Sequence, residues 1–221
     1  NPRKALTYDL QVESRTSLYL LANGLVTHNS GKSMLGGREA AWIFTDTHPY
    51  WTKPAAWNDE PLLMIVMGRV MNQVEELWER KIKPFLDPTE YREKRMGGVL
   101  QQVVHVKNNN KILFMSHNAP EEAREKVQSF VAHWFWLDEL ADSFKLLEEI
   151  HRRLQAKRGR LLATFTPKMR SDKVRSIIER KSPIQKCFKL KMLDNPIYDG
   201  REDEILQQLE GLPEQYRKTL L

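Results

Sequence analysis

Leu6, Tyr8, Leu10 and Val12 alternate with Thr7, Asp9, Gln11 and Glu13, the period-two pattern of a half-buried strand. Residues 17–22 predict a second strand, and Asn23-Gly24 ahead of Leu25-Val26 is a strong hairpin signal. After residue 30 the period changes. A helix is expected from Lys32 to about Phe44, running through Gly36-Gly37 and ending before His48-Pro49. Residues 62–67 form an apolar run suited to a buried parallel strand. A helix follows over about 70–82, with Val70, Val74, Leu77 and Trp78 on one face and Pro84 closing it. Strands near 100–107 and 111–115 flank Asn108-Asn109-Asn110, which reads as a hairpin turn. A helix over about 120–129 precedes an apolar strand at 134–137, and a helix near 143–156 leads to a strand at 160–165. A helix near 172–180, a strand near 184–192 and helices from about residue 202 complete the pattern.

Strands alternating with helices imply an α/β fold, a mostly parallel sheet flanked by helices on both faces. The first 29 residues read instead as a short all-β segment. A length of 221 residues suits one α/β domain with an appendage, or two small domains. An apolar content of 41% and a mean hydropathy of −0.58 describe a soluble globular chain. No run approaches the roughly 18 apolar residues of a membrane span, and no signal peptide stands at the start. Cys187 is the single cysteine, which excludes an internal disulfide and suits a reducing compartment. The net charge of +6 leans toward polyanions such as DNA, although a generic basic surface explains it as simply. With no initiator Met and a helix cut at Leu221, the chain is expected to be a fragment.

Two chemistries meet at His28-Asn29-Ser30-Gly31-Lys32-Ser33. Gly31-Lys32-Ser33 is the end of a phosphate-binding loop, G-x-x-x-x-G-K-[ST], whose small residues let successive backbone N–H groups curl around phosphate oxygens. The first glycine of that pattern falls at position 26, and position 26 is Val26. Only half of a nucleotide cradle is present. The motif gains weight from Trp134-Phe135-Trp136-Leu137-Asp138-Glu139, a buried strand ending in two carboxylates, the Walker B pattern. Ligands of open α/β sheets sit at the carboxyl ends of strands. There Asp138 is the candidate Mg²⁺ ligand, and Glu139 the group that orients and deprotonates the water attacking the γ-phosphate of ATP. The simpler reading is an acidic start to a helix, favoured by the helix dipole. Thr164 and Thr166, ending the next strand, are placed to sense the γ-phosphate, though threonine is an ordinary strand residue.

The order phosphate loop, strand-Asp-Glu, strand-Thr is that of the additional-strand class of P-loop ATPases. His48-Pro49-Tyr50-Trp51, the 62–67 strand, Gln73 and the segment 81–86 after it resemble phage terminase large subunits. So do Glu122-Ala123-Arg124-Glu125-Lys126-Val127-Gln128, Trp136-Leu137-Asp138-Glu139 and Gly159-Arg160-Leu161-Leu162-Ala163-Thr164-Phe165-Thr166-Pro167. Leu193-Asp194-Asn195-Pro196 and Leu212-Pro213-Glu214-Gln215-Tyr216-Arg217 continue a match spanning residues 30–221. The resemblance implies an ATPase motor that drives double-stranded DNA into a procapsid in the cytoplasm of an infected bacterial host. Its implied partners are the portal and procapsid, a small terminase subunit and further copies in a ring, with no membrane. By residue it implies Lys32 on the β/γ-phosphates beside Gly31, Ser33 and Asp138 on Mg²⁺, and Glu139 on the attacking water. Thr164 or Thr166 couples hydrolysis to movement. Terminases add a nuclease domain after the ATPase; the chain stops short of it, so no nuclease activity is expected. Arg38, Arg124, Arg152 and Arg153 are candidates for an arginine finger, and 152–160 and 168–181 for contacts to DNA phosphates. Trp42, Trp51, Trp57 and Trp78 read better as packing anchors than as base-stacking platforms.

Residues 7–13 and Leu20-Leu21-Ala22-Asn23-Gly24-Leu25-Val26-Thr27-His28-Asn29, followed by Ser30, resemble the C-terminal splicing blocks of an intein, a Hint-type all-β fold. The resemblance implies four roles. Ser30 accepts the upstream acyl chain by transesterification. Asn29 cyclises, its amide nitrogen attacking its own carbonyl and cutting the bond to Ser30. His28 gives a proton to the scissile carbonyl or leaving group, and Asp9 helps to activate the nucleophiles. Arg15-Thr16-Ser17 stands where that family usually has a His. An intein interrupting the loop would leave the remaining glycine-rich residues upstream, so the two resemblances explain Val26 together. The expected domains are 1–29, an intein segment needing its upstream half, and 30–221, the ATPase. The alternatives are a helicase-like ATPase, or an inert nucleic-acid-binding module with an N-terminal β-arm.

Overall fold

The computed structural model describes residues 20–21, 25–26, 32–58, 60–139 and 143–165. Expectations for residues 6–13, the 23–24 turn, the 28–31 junction and everything from Thr166 onward lie outside the described residues. The chain divides into two units, Asn1–Lys32 with Thr166–Leu221, and Ser33–Phe165. In the first unit β1 (Leu20–Leu21) pairs antiparallel with β2 (Leu25–Val26), Leu21 opposite Leu25, as the hairpin signal predicts.

The second unit is built on a sheet of six strands: β3 (Leu63–Gly68), β4 (Tyr91–Met96), β5 (Val99–His105), β6 (Lys111–Ser116), β7 (Trp134–Asp138) and β8 (Arg160–Thr164). Their order is β4-β5-β6-β3-β7-β8. The pairings β6–β3, β3–β7 and β7–β8 are parallel, whereas β4–β5 and β5–β6 are antiparallel hairpins. A mostly parallel α/β sheet is therefore present. The helices are α1 (Lys32–Thr45), α2 (Met71–Leu77), α3 (Pro120–Gln128) and α4 (Phe144–Gln155).

Alternation along the central strands divides the core in two. Met64 and Val66 of β3 and Trp134 and Trp136 of β7 pack with Ala40, Phe44, Val74 and Trp78 from the α1 and α2 side. Ile65 and Met67, with Phe135 and Leu137, pack with Val127 of α3 and Leu146, Ile150 and Leu154 of α4. Burying each of these large side chains stabilises the fold by about 1.5–3 kcal/mol. Both faces are covered, which is why β3 and β7 read as unbroken apolar runs.

The Gly36-Gly37 pair, a weakness by propensity, lets α1 approach the sheet. A Cβ on Gly36 would lie 2.1 Å from Cε2 of Trp136, and one on Gly37 would lie 2.0 Å from the Lys81 carbonyl oxygen. The helix stops in a left-handed cap. Asp46 has φ 62°, Thr47 N–H donates to Trp42 O and Asp46 N–H to Ile43 O.

Two local expectations are corrected, and one strand is added. The helix expected over 70–82 is α only to Leu77; Trp78–Ile82 widens into a π turn and Lys83–Phe85, with Pro84 in it, tightens into a 3₁₀ turn. The wide turn buries both Trp78 and Ile82 and sets the Lys81 carbonyl against Gly37. Strand β5 ends at His105 rather than Lys107, because His105 N–H turns to Asn110 O and Asn109 takes a positive φ of 58°. Strand β4 was not foreseen. It is a charged edge strand joined to β5 by Gly97-Gly98, whose φ values of 57° and 80° suit a two-residue hairpin loop. Its inward positions carry only Tyr91 and Glu93, and Glu93 accepts from the Trp78 indole at 2.9 Å.

Candidate nucleotide site

Strand β7 ends in Asp138, which its parallel register sets opposite Thr164 at the end of β8. Both side chains are buried. Thr164 Oγ1 donates to Asp138 Oδ1 at 2.7 Å, and Ser33 Oγ, one residue into α1, donates to the same oxygen at 2.8 Å. Hydrogen bonds to an ionised carboxylate are the stronger kind, and two of them satisfy much of what burial takes from it. The amino end of a helix adds positive potential to the same place. Residues far apart in sequence thus converge at the carboxyl end of the sheet, where ligands of open α/β folds bind.

Glu139 follows directly, half-buried, with φ 62°. A left-handed conformation costs a non-glycine residue about 1–2 kcal/mol. It is held there by its own N–H, which donates to Thr164 O at 2.7 Å. Strain of this kind, over-determined by neighbours, is typical of functional positions. Lys32 is the first residue of α1.

Asp138 and Ser33 offer a carboxylate and a hydroxyl, the hard oxygen donors that Mg²⁺ takes alongside phosphate oxygens and waters. Among the described residues no group of three or more His, Cys, Asp or Glu could hold a metal by itself. The donor set therefore fits a magnesium ion that arrives with a phosphate ligand, and fits a protein-only metal cage poorly.

Of the expected site residues, the structure brings Ser33, Asp138, Glu139 and Thr164 together. Asp9, His28, Asn29, Ser30, Gly31 and Thr166 lie outside the described residues. Sequence reasoning missed Trp136, whose indole Nε1–H donates to Thr164 Oγ1 at 2.8 Å. The signal was its position two residues before Asp138, on the same strand face.

The candidate arginines have other engagements. Arg38 lies between the rings of Trp42 and Phe85, 4.7 and 4.5 Å from their centroids, and burial pushes its pKa below the usual arginine value. Arg124 pairs with Glu121, while Arg152 and Arg153 both reach the buried Glu149. In the 152–160 stretch Lys157 pairs with Glu60, and Arg160 stacks 4.3 Å over Trp51. Trp57 and Trp78 are fully buried and Trp42 nearly so, as packing anchors should be. Among the described residues no helix is long and apolar enough to cross a membrane.

No protein-family model and no curated protein matches the chain by sequence. Solved structures do match by fold. The ATPase domain of the large terminase of Thermus phage P74-26 is similar over 86% of this chain and 82% of its own, with a TM-score of 0.63 at 16% identity. An arginine-to-alanine variant of that domain aligns with a TM-score of 0.55 at 14% identity, over 85% of this chain and 82% of its own. The large terminase of a thermophilic bacteriophage aligns with a TM-score of 0.55 at 13% identity, over 84% of this chain and 44% of its own. The chain thus has the fold of phage large-terminase ATPase domains.

Proposed function

We propose that residues 30–221 are the ATPase motor of a viral DNA-packaging terminase large subunit, in precursor form, and that residues 1–29 are the C-terminal splicing segment of an intein that interrupts the phosphate loop. The observation that carries the ATPase reading is the shared acceptor Asp138 Oδ1, to which Ser33 of the half phosphate loop and Thr164 of the neighbouring strand both donate. A buried carboxylate paired with the loop hydroxyl is what a magnesium–nucleotide site requires, and the terminase-type fold agrees with it.

In this reading Gly31 N–H and the Lys32 ammonium hold the β/γ-phosphates of ATP, and Ser33 and Asp138 hold Mg²⁺. Bound there, the ion would supply positive charge to offset the negative charge that develops on the phosphates. Glu139 orients the attacking water and takes its proton. Thr164 or Thr166 couples hydrolysis to movement. Double-stranded DNA, a portal and procapsid, a small subunit and a ring of copies are the partners that follow, and the host cytoplasm is the place.

The intein reading rests on residue chemistry: Val26 where the loop requires glycine, Asn29 able to cyclise, His28 beside it, and Ser30 both as acceptor nucleophile and as a loop residue afterwards. Asp9 assists from the expected first strand. Until the upstream half supplies the remaining backbone N–H donors, the isolated chain should bind ATP poorly.

Co-expression with the sequence encoded immediately upstream tests both parts. Mass spectrometry should find a product that has lost residues 1–29 and gained a glycine-rich loop ahead of Ser30, and that product should hydrolyse ATP only with Mg²⁺. Glu139→Gln should abolish turnover and leave DNA affinity intact. An upstream sequence with no splicing nucleophile and no glycine-rich loop would overturn the intein reading; a complete loop without turnover would overturn the ATPase.

A further inference from the structure

Trp136 is a costly choice for a strand interior, because its buried indole N–H must find an acceptor where phenylalanine would ask for none. The ring is fully buried, and the acceptor is Thr164 Oγ1 at 2.8 Å. An indole nitrogen donates only, and a threonine hydroxyl has a single hydrogen. The direction of the chain is therefore fixed. Trp136 donates to Thr164, whose own hydrogen is left for Asp138 Oδ1 at 2.7 Å. The same ring lies against α1, where a Cβ on Gly36 would come within 2.1 Å of Cε2 and 2.5 Å of Nε1. Gly36 is three residues after Ser33, on the same helix face. Helix α1 thus meets β7 twice, through Ser33 on Asp138 and through Gly36 on Trp136.

We infer that Trp136 is a positioning residue of the proposed ATPase site: its indole N–H turns the Thr164 hydroxyl toward Asp138, and its ring seats α1 so that Ser33 reaches the same carboxylate. This inference rests on the ATPase reading. Without the indole, the Thr164 hydroxyl is free to rotate and Asp138 loses one fixed donor. The carboxylate is then less ordered for a cation carried by ATP. Loss of such a supporting partner typically costs about 10–100-fold in metal affinity or activity.

The test has one arm on the full chain and one on the spliced product. With ¹⁵N-labelled indoles, the Trp136 N–H signal of the full chain should exchange slowly with solvent. Thr164→Val, which keeps the shape and removes the hydroxyl, should shift that signal and speed its exchange, while Thr164→Ser restores both. The Trp57 and Trp78 indoles, bonded to Lys157 O and Glu93, serve as internal controls and should not move. In the spliced product Trp136→Phe and Thr164→Val should each lower kcat about tenfold and raise the Mg²⁺ concentration needed for half-maximal rate, with KM for ATP within about twofold. Thr164→Ser should retain most of the activity. Unchanged kcat and Mg²⁺ dependence in both Trp136→Phe and Thr164→Val would overturn the inference, as would a Trp136 signal indifferent to Thr164→Val. A spliced parent that has no turnover, with the NMR shifts as expected, would instead overturn the ATPase reading on which the inference rests.

Discussion

Ser33 Oγ donates to Asp138 Oδ1 at 2.8 Å, joining two residues 105 positions apart in sequence. One is a hydroxyl in the first turn of α1, and the other is the carboxylate that ends a buried strand. Ser33→Ala should therefore cost about 1–3 kcal/mol in urea unfolding, since a buried carboxylate loses a donor. Asp138→Asn keeps an acceptor oxygen but removes the charge. In the spliced product it should lower Mg²⁺-dependent turnover by more than the roughly hundredfold that a merely supporting residue costs. A smaller loss, measured at saturating ATP, would remove Asp138 from the proposed ion site.

Gly36 and Gly37 make a second, opposite prediction. Replacing a mid-helix glycine by alanine normally stabilises by up to about 1 kcal/mol. Here the added methyl would enter the buried Trp136 ring at one position and the Lys81 backbone carbonyl at the other. Neither neighbour is a flexible side-chain end. Gly36→Ala and Gly37→Ala should each destabilise by about 1–3 kcal/mol or more, as overpacking does. A gain in the urea midpoint for either variant would mean that α1 does not approach the sheet as described.

What was legible in the sequence follows from where each signal resides. Strands β3 and β7 are buried on both faces, so their apolar runs announce them, and Asp138 is conspicuous as the first charge after such a run. Asn108-Asn109-Asn110 declared the β5–β6 turn because Asn tolerates the left-handed conformation that Asn109 adopts. Strand β4 stayed hidden because an edge strand buries little, and its charged residues alternate without an apolar face. The π turn at Trp78–Ile82 keeps helical spacing nearly intact, so periodicity cannot separate it from α-helix. Trp136 reads as one more apolar strand residue until the β7–β8 register sets Thr164 within reach of its indole. Its local spacing shows only that it shares a strand face with Asp138; the partner is tertiary information.

Glu139 offers a test of strain separate from chemistry. Its φ of 62° is comfortable for glycine and unfavourable for alanine. Glu139→Gly should therefore be more stable than Glu139→Ala by about 1 kcal/mol, although both lack the carboxylate and both should abolish turnover. Urea unfolding of the pair measures the difference. An alanine variant equal to or more stable than the glycine one would show that the residue is not held in the left-handed region.

His133 predicts how stability responds to acid. Its ring is buried edge-on to Trp57, where Nδ1 accepts from Leu63 N–H at 3.0 Å and Nε2 lies 3.3 Å from Glu60. Nδ1 must stay unprotonated to accept, so the ring is neutral with its hydrogen on Nε2. Burial pushes its pKa below the ordinary 6.5, outweighing the upward pull of Glu60. Below 6.5 the unfolded chain binds a proton that the folded chain resists, so stability rises with pH through this window. It should be complete above pH 6.5 and fall as the pH drops toward the lowered folded value. Glu60, held below the usual 4.5 chiefly by its hydrogen bond to Lys157, adds a separate loss only in more acidic solution. Urea midpoints at pH 7.5 and 5.5 read the first window. His133→Asn, which keeps an acceptor for Leu63 N–H but cannot titrate, should flatten the difference between them. A slope unchanged by that substitution would assign the acid sensitivity to another group.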